Sequence, residues 1–140
     1  MRMRVLTHTS KGKLITIANE VTKLIDADKA TDRIPTAYPC DGERLVVIVA
    51  SAKSSYPDDF SRFMRSLKRS VTANIAFIND GTPENAAKIV EMAKTNNANV
   101  MDDKILYING GLPFKFIKGV SAEEMNTVKE WVADILKNLA

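Results

Sequence analysis

The sequence predicts an α/β fold, in which one parallel sheet lies between two layers of helices. Apolar runs of strand length alternate along the 140 residues with longer stretches whose apolar side chains recur at helical spacing. Several of the short runs lack polar alternation, which is typical of strands that helices cover on both faces. Because right-handed crossovers place helices on both faces, we expect a three-layer sandwich with a five-stranded parallel sheet in a single domain, 1–140.

The chain opens with a predicted strand and an amphipathic helix. The strand is MRVLTH, 3–8, and the helix lies within 12–26, where apolar residues recur every three to four positions in one stripe. A short strand is expected near 31–35. Only about eight residues then remain before Arg44, which is fewer than a parallel crossover usually takes. This connection is therefore expected to be extended or a single helical turn.

The middle of the chain repeats the strand–helix pattern twice. RLVVIVA, 44–50, and NIAFIND, 74–80, are the predicted buried strands. The helix after the first of them lies within 54–69 and has a buried stripe rich in aromatic residues. The helix after the second is expected to have Thr82 as its N-cap and Pro83 as its first residue, because the first helical turn leaves N–H groups unbonded anyway.

A fifth strand and a final helix complete the predicted fold. The strand is KILYING, 104–110. The helix opens at Ser121, and Glu124 stands three residues further on, which is the spacing of a capping box. Trp131 lies near the apolar stripe of this helix, and we expect it in the core rather than on a ligand-binding surface.

Composition narrows the classes of function. No apolar run approaches the roughly 18 to 20 residues that a membrane span needs, and the start of the chain has no apolar region of a signal peptide. Cys40 is the single cysteine, which excludes an intramolecular disulfide and fits the reducing cytoplasm. One His and one Cys cannot form a conventional zinc site.

The charge of the chain favours binding to an anion, but its distribution does not predict a nucleic-acid interface. The net charge is +3 and the isoelectric point is near 9.0. This balance favours an acidic partner or an anionic ligand. Lys and Arg are spread along the sequence rather than clustered, so we expect no nucleic-acid interface.

Three polar loops are expected to meet at one edge of the sheet. They are 7–13, 51–57 and 79–83, and each follows one of the predicted strands. All three are rich in Thr, Ser, Asn, Gly and Lys. Ligands of open parallel sheets bind outside the carboxyl ends of the strands, where the strand order reverses. The sequence therefore predicts a ligand site at this edge.

The first of these loops has the properties of an anion site. It opens a helix, whose free N–H groups and dipole attract negative charge. Gly12 permits close approach of the backbone, and Lys11 and Lys13 add positive charge. The alternative is an ordinary turn in which Thr9 or Ser10 caps the helix. The loop matches neither the Walker pattern nor the dinucleotide pattern of three glycines.

In order and spacing, nearly the whole chain resembles the flavodoxin family. TSKGKLITIA, 9–18, stands where that family has a loop of the type S-K-T-G-N-T followed by a helix. The segment 44–67 resembles the third strand, flavin loop and following helix of the family, and 74–86 resembles its fourth strand and second flavin loop. The resemblance implies the strand order 2-1-3-4-5 and an electron carrier that binds FMN.

The resemblance also implies where FMN would bind. Its phosphate would occupy the 7–14 loop, and its isoalloxazine ring would lie between 51–56 and 79–82. Tyr56 is the only aromatic residue in these loops and would flank the ring, the alternative being a purely structural role. The flavin carries the redox chemistry, so no catalytic acid or base is required. The implied cofactor-binding residues are Thr7, His8, Thr9, Ser10, Lys11, Gly12, Lys13, Leu14, Ser51, Ala52, Lys53, Ser54, Ser55, Tyr56, Asn79, Asp80, Gly81 and Thr82.

Two departures from the family pattern keep alternative functions open. Lys13 and Leu14 stand where the family has Asn and Thr, so a hydroxyl donor to the phosphate is lost. The chain is basic, whereas flavodoxins are acidic, so its redox partner protein, a reductase or an acceptor, differs from the usual one. We expect an electron carrier rather than a stand-alone enzyme. The alternatives are a flavin-dependent reductase on the same fold and an interaction module that has lost the cofactor.

Overall fold

A computed structural model of the chain describes nine segments. They are 2–7, 12–25, 32–34, 43–51, 58–65, 72–80, 83–94, 99–107 and 122–139. In chain order the strands and helices are β1 (Arg2–Thr7), α1 (Gly12–Leu24), β2 (Asp32–Arg33), β3 (Glu43–Ser51), α2 (Asp58–Arg65), β4 (Thr72–Asp80), α3 (Pro83–Lys94), β5 (Asn99–Val100), a 3-10 turn (Asp102–Lys104), β6 (Leu106–Tyr107) and α4 (Ala122–Lys137).

All the strand pairs of the sheet are parallel, so the predicted α/β class with a parallel sheet is confirmed. The strand order is β2-β1-β3-β4-β5, and β6 also pairs with β4. The short strand expected near 31–35 is β2, and the Ile34 N–H continues its pairing by donating to the Thr7 carbonyl over 3.0 Å.

Within the described segments the sheet has six strands, whereas five were predicted. The strand expected over 104–110 is wrong in its start, because Lys104 ends a 3-10 turn and β6 begins at Leu106. The edge position beside β4 is divided between β5 and β6. Between them, the Met101 side chain is buried in the core and its N–H donates to the Ile75 carbonyl, after which the chain winds into the 3-10 turn. Residues 108–110 lie outside the described segments.

Two apolar clusters lie on opposite faces of the sheet. The first packs α1 and α4 against alternate strand residues such as Val5, and the second packs α2 and α3 against the residues between them, such as Leu6. The residues of β3 from Leu45 to Ala50 are all 0% exposed, as expected for a strand covered on both sides. Each large side chain buried in these clusters contributes about 1.5–3 kcal/mol through the hydrophobic effect. The helix layers thereby hold the strand ends in place.

The helix boundaries follow local signals in the sequence. α3 begins at Pro83 as predicted, and α4 begins directly after Ser121, although Ser121 and Thr82 themselves lie outside the described segments. The expectation for Trp131 is confirmed, because it is 9% exposed and belongs to the cluster of α1 and α4. Its indole Nε1 donates to the Lys104 carbonyl and so joins α4 to the 3-10 turn. None of the helices in the nine segments is long and apolar enough to cross a membrane.

Several polar side chains are buried inside the sheet, and the sequence analysis did not single them out. Arg4 in β1 is 2% exposed and Asn74 in β4 is 0% exposed. The Asn74 amide donates to the Arg44 carbonyl over 2.9 Å and accepts from Asn99 Nδ2 over 2.7 Å. These bonds join β3, β4 and β5 near the amino end of the sheet. Buried polar groups of this kind stabilise the fold only while their hydrogen bonds are made.

Candidate binding site at the carboxyl edge of the sheet

The carboxyl ends of three neighbouring strands define the candidate site. β1 ends at Thr7, β3 at Ser51 and β4 at Asp80. In the parallel register Thr7 is level with Val49, and Ser51 is level with Asp80, so the described ends of the three strands lie at one edge of the sheet.

Each of these strands is followed by a helix that begins at the same edge. α1 starts at Gly12, α2 at Asp58 and α3 at Pro83. Because each helix returns toward the opposite edge, its amino end and the positive end of its dipole lie at the carboxyl edge. Asp58 at the start of α2 and Glu84 in the first turn of α3 offset the positive dipole ends of those two helices. The first turn of α1 has no acidic residue, so the start of α1 is the one of the three that favours an anion.

The strand order reverses beside β1. The chain runs from β1 through α1 to β2 on one side, and then continues to β3 on the other side of β1. α1 packs on one face of the sheet and α2 on the other, so the helices diverge above the ends of β1 and β3. Open α/β sheets bind ligands in the crevice that such a reversal creates. The topology therefore selects the ends of β1 and β3 within the wider edge.

The first turn of α1 is held in place by the core. Leu14 is 4% exposed and packs in the cluster of α1 and α4. A contact between Leu14 and a ligand at this edge would therefore be made by its backbone amide rather than by its side chain. Thr7, at the end of β1, is 1% exposed, and its carbonyl accepts the hydrogen bond from Ile34. The two ends of the first loop are thus rigidly placed, and Gly12 stands at the start of the helix.

Asn79 braces the ends of β3 and β4 against each other. Its side chain is 0% exposed. In the amide orientation that satisfies both of its polar atoms, Nδ2 donates to the Ala50 carbonyl over 3.0 Å and to the Ile78 carbonyl over 3.1 Å. The amide N–H₂ group is therefore used within the sheet, and it adds a side-chain bond between the ends of β3 and β4 to their backbone pairing.

The structure describes seven of the eighteen residues predicted for the site, and all seven belong to this edge. They are Thr7, Gly12, Lys13, Leu14, Ser51, Asn79 and Asp80. The predicted residues His8, Thr9, Ser10, Lys11, Ala52, Lys53, Ser54, Ser55, Tyr56, Gly81 and Thr82 lie outside the described segments.

Tyr107 is a residue of this edge that the sequence analysis missed. It is the last residue of β6 and is level with Asn79 of β4 in the parallel register. Its side chain is 45% exposed, whereas its neighbour Leu106 packs against the cluster of α1 and α4. Because successive strand residues alternate in direction, Tyr107 lies on the other face, with α2 and α3. The signal available in the sequence was an aromatic residue within the predicted last strand, 104–110, whose end was not counted among the loops.

The edge thus combines helix amino ends with polar strand ends and an exposed phenol ring. In the described segments, no three His, Cys, Asp or Glu side chains come together closely enough to hold a metal ion. The arrangement is suited to bind an anionic group by backbone N–H donors and a planar group beside it.

A comparison with protein-family models found no family that matches the chain, and a comparison with curated proteins found no similar sequence.

Proposed function

We propose that the protein is an FMN-binding electron carrier with a flavodoxin-like fold, in which β5 and β6 together act as the fifth strand. The observation that supports this most directly is the meeting of three strand ends and three helix starts at one edge, beside the reversal of strand order. FMN has the matching chemistry, because a doubly negative phosphate is joined to a planar ring.

The phosphate is assigned to the segment 7–14. The N–H groups of the first turn of α1 would donate to its oxygens, and the helix dipole favours its charge. Gly12 is the first residue of α1 and has no Cβ atom that would obstruct a phosphate at the helix start. Lys11 and Lys13 balance the charge, and the buried Leu14 side chain holds the first turn of α1 still. These residues fit a phosphate group without the hydroxyl donor that flavodoxins have in this loop.

The isoalloxazine ring is assigned to the space between the loops that follow β3 and β4. Asn79 joins the ends of these two strands through its bond to the Ala50 carbonyl. Backbone groups at 51–54 and 79–82 would bond the pyrimidine edge of the ring, and Tyr56 would flank it. When bound, FMN supplies the electron transfer, and the protein orients the ring, excludes water and tunes its potential. The net charge of +3 favours an acidic redox partner.

Visible absorption of the purified protein tests the proposal. The spectrum is recorded before and after incubation with FMN followed by gel filtration, and affinity is measured by titrating FMN fluorescence. We expect flavin bands that elute with the protein and FMN that is released on heating. A wild-type protein that retains no FMN would overturn the proposal and favour the cofactor-free interaction module. Steady NAD(P)H turnover in the absence of a partner protein would instead favour the flavin-dependent reductase.

Gly12→Val tests the assignment of the phosphate. The added side chain obstructs the approach of the phosphate to the first turn of α1, so we expect FMN binding to be abolished while the far-UV circular dichroism is retained. Asn19→Val is the matched control, because Asn19 is an exposed residue of the same helix, two turns from its start. Both variants place a β-branched residue in α1, and only the first lies at the proposed site. Unchanged FMN affinity in Gly12→Val would show that the loop is wrongly assigned.

A further inference from the structure

We propose that Tyr107 is the second aromatic contact of the bound flavin, placed by β6 rather than by either flavin loop. The inference rests on the proposed function, since it names a residue that holds the ring of the same ligand. It assigns a binding role to the end of the sheet's edge strand, which no sequence motif indicates.

Tyr107 lies at the same level of the sheet as the ends of β3 and β4. Ala50, Asn79 and Tyr107 are neighbours on adjacent strands at the carboxyl edge. All three lie on the face of the sheet that α2 and α3 cover. Ala50 and Asn79 are each 0% exposed, whereas Tyr107 is 45% exposed. Neighbouring strands are about 4.8 Å apart, so Tyr107 lies about 10 Å across the sheet from the end of β3. The three-ring flavin is comparable in length to that span.

The side chain of Tyr107 is a large aromatic ring that is left partly exposed. Among the described residues, the large hydrophobic side chains left exposed are Tyr107 and Leu24. Leu24 is the last residue of α1, so it lies away from the carboxyl edge, while Tyr107 lies on it. A phenol ring that is half exposed beside a site for a planar ligand can stack on or pack edgewise against that ligand, and this contact adds to the gain from burying its area. The segment 79–82 contains no aromatic residue, so Tyr107, in register with Asn79, is the described aromatic side chain at the β4 side of this edge.

Four variants of the full-length protein test the inference with FMN itself as the probe. Tyr107→Ala removes the ring, Tyr107→Leu keeps apolar bulk without an aromatic face, and Tyr107→Phe keeps the ring without the hydroxyl. Leu24→Ala is the control, because it truncates the other exposed side chain, which is 38% exposed and distant from the edge. The measurements are the dissociation constant of FMN and the fluorescence of the bound flavin, which stacking on a phenol ring quenches.

We expect Tyr107→Ala and Tyr107→Leu to raise the dissociation constant about tenfold, as for the loss of one stacking side chain, and to increase the fluorescence of bound flavin. Tyr107→Phe and Leu24→Ala should bind FMN as the wild type does, because each retains the aromatic ring at position 107. A loss of affinity without a change in fluorescence would reveal only a structural role and would overturn the inference.

The inference fails separately from the proposed function. If the wild type binds FMN and Tyr107→Ala binds it equally well, Tyr107 is not a flavin contact although the protein remains a flavoprotein. If the wild type binds no FMN, both conclusions are overturned. Circular dichroism of each variant shows whether the fold is retained, and Tyr107→Phe supports the inference even if the alanine variant unfolds, provided that Tyr107→Leu folds and shows the loss.

Discussion

Asn99→Ala should destabilise the protein mainly through Asn74, the buried residue that loses a hydrogen-bond donor. Asn99 Nδ2 donates to Asn74 Oδ1 over 2.7 Å, and Asn74 is 0% exposed. In Asn99→Ala the acceptor loses this donor in a place that water reaches poorly. We therefore predict a loss of stability that exceeds the value of one exposed hydrogen bond.

The magnitude follows from the burial of the two groups. A hydrogen bond contributes about 0.5–1.5 kcal/mol net, and leaving its buried partner unsatisfied costs about 1–3 kcal/mol. Asn99 is itself only partly buried, so we expect Asn99→Ala to lower the free energy of unfolding by about 1–2 kcal/mol. Asn74→Ala also removes the bond to the Arg44 carbonyl and leaves a cavity, and we expect it to cost about 2–4 kcal/mol.

A double-mutant cycle measures the pair directly. Urea unfolding is followed by far-UV circular dichroism and by the fluorescence of Trp131, the single tryptophan, which packs on the α1 and α4 side of the sheet. Agreement between the two probes establishes two-state unfolding. The double variant should be less destabilised than the sum of the single variants by about 1 kcal/mol, because each single variant already breaks the bond between the amides.

An exposed asparagine of α4 provides the control. Asn126→Ala makes the same chemical change at an exposed position of α4 and should change stability by less than about 0.5 kcal/mol. A coupling below about 0.3 kcal/mol, within the additivity of independent sites, would show that the two amides do not stabilise each other. The inference that the pair joins β4 to β5 would then be wrong.

Two further predictions concern the connection between α4 and the edge of the sheet. Trp131→Phe removes the indole N–H that donates to the Lys104 carbonyl and replaces a buried ring by a smaller one. The free energy of unfolding should therefore fall by about 1–3 kcal/mol, and amide hydrogen exchange should accelerate over 101–107. Unchanged exchange in that segment would contradict the assigned bond. The hydrogen bond and the charge of Asp102 raise the pKa of Lys94 above its ordinary value of 10.5. The group is more easily protonated in the folded state, so its stabilisation is present below the ordinary pKa and is lost as pH rises through the raised one. The stability difference between wild type and Lys94→Met should therefore shrink in urea titrations above pH 10.5, and a difference that grows there would refute the pairing.

The sequence by itself determined the elements that depend on near neighbours in the chain. Uninterrupted apolar runs identify β3 and β4, because a strand covered on both faces has no polar alternation. Pro83 marks the start of α3, because its ring and missing N–H suit only the first helical turn. The placement of Trp131 in the core also followed from its position near an apolar stripe. The edge that carries the candidate site was predictable in the same way, since parallel strands end on the same side.

The tertiary structure alone decided what depends on residues far apart in the chain. Asn74 and Asn99 are separated by 25 residues, and only the register of β4 and β5 brings their amides together. The burial of Met101 and the bond from Trp131 to Lys104 accompany the division of the last strand into two, which the apolar run at 104–110 does not reveal. Tyr107 lies at the same edge as the ends of β3 and β4 because β6 pairs with the end of β4. Local periodicity indicates which face of an element is buried, but it does not indicate which distant element covers that face. Contacts between elements that are far apart in the chain determine that pairing.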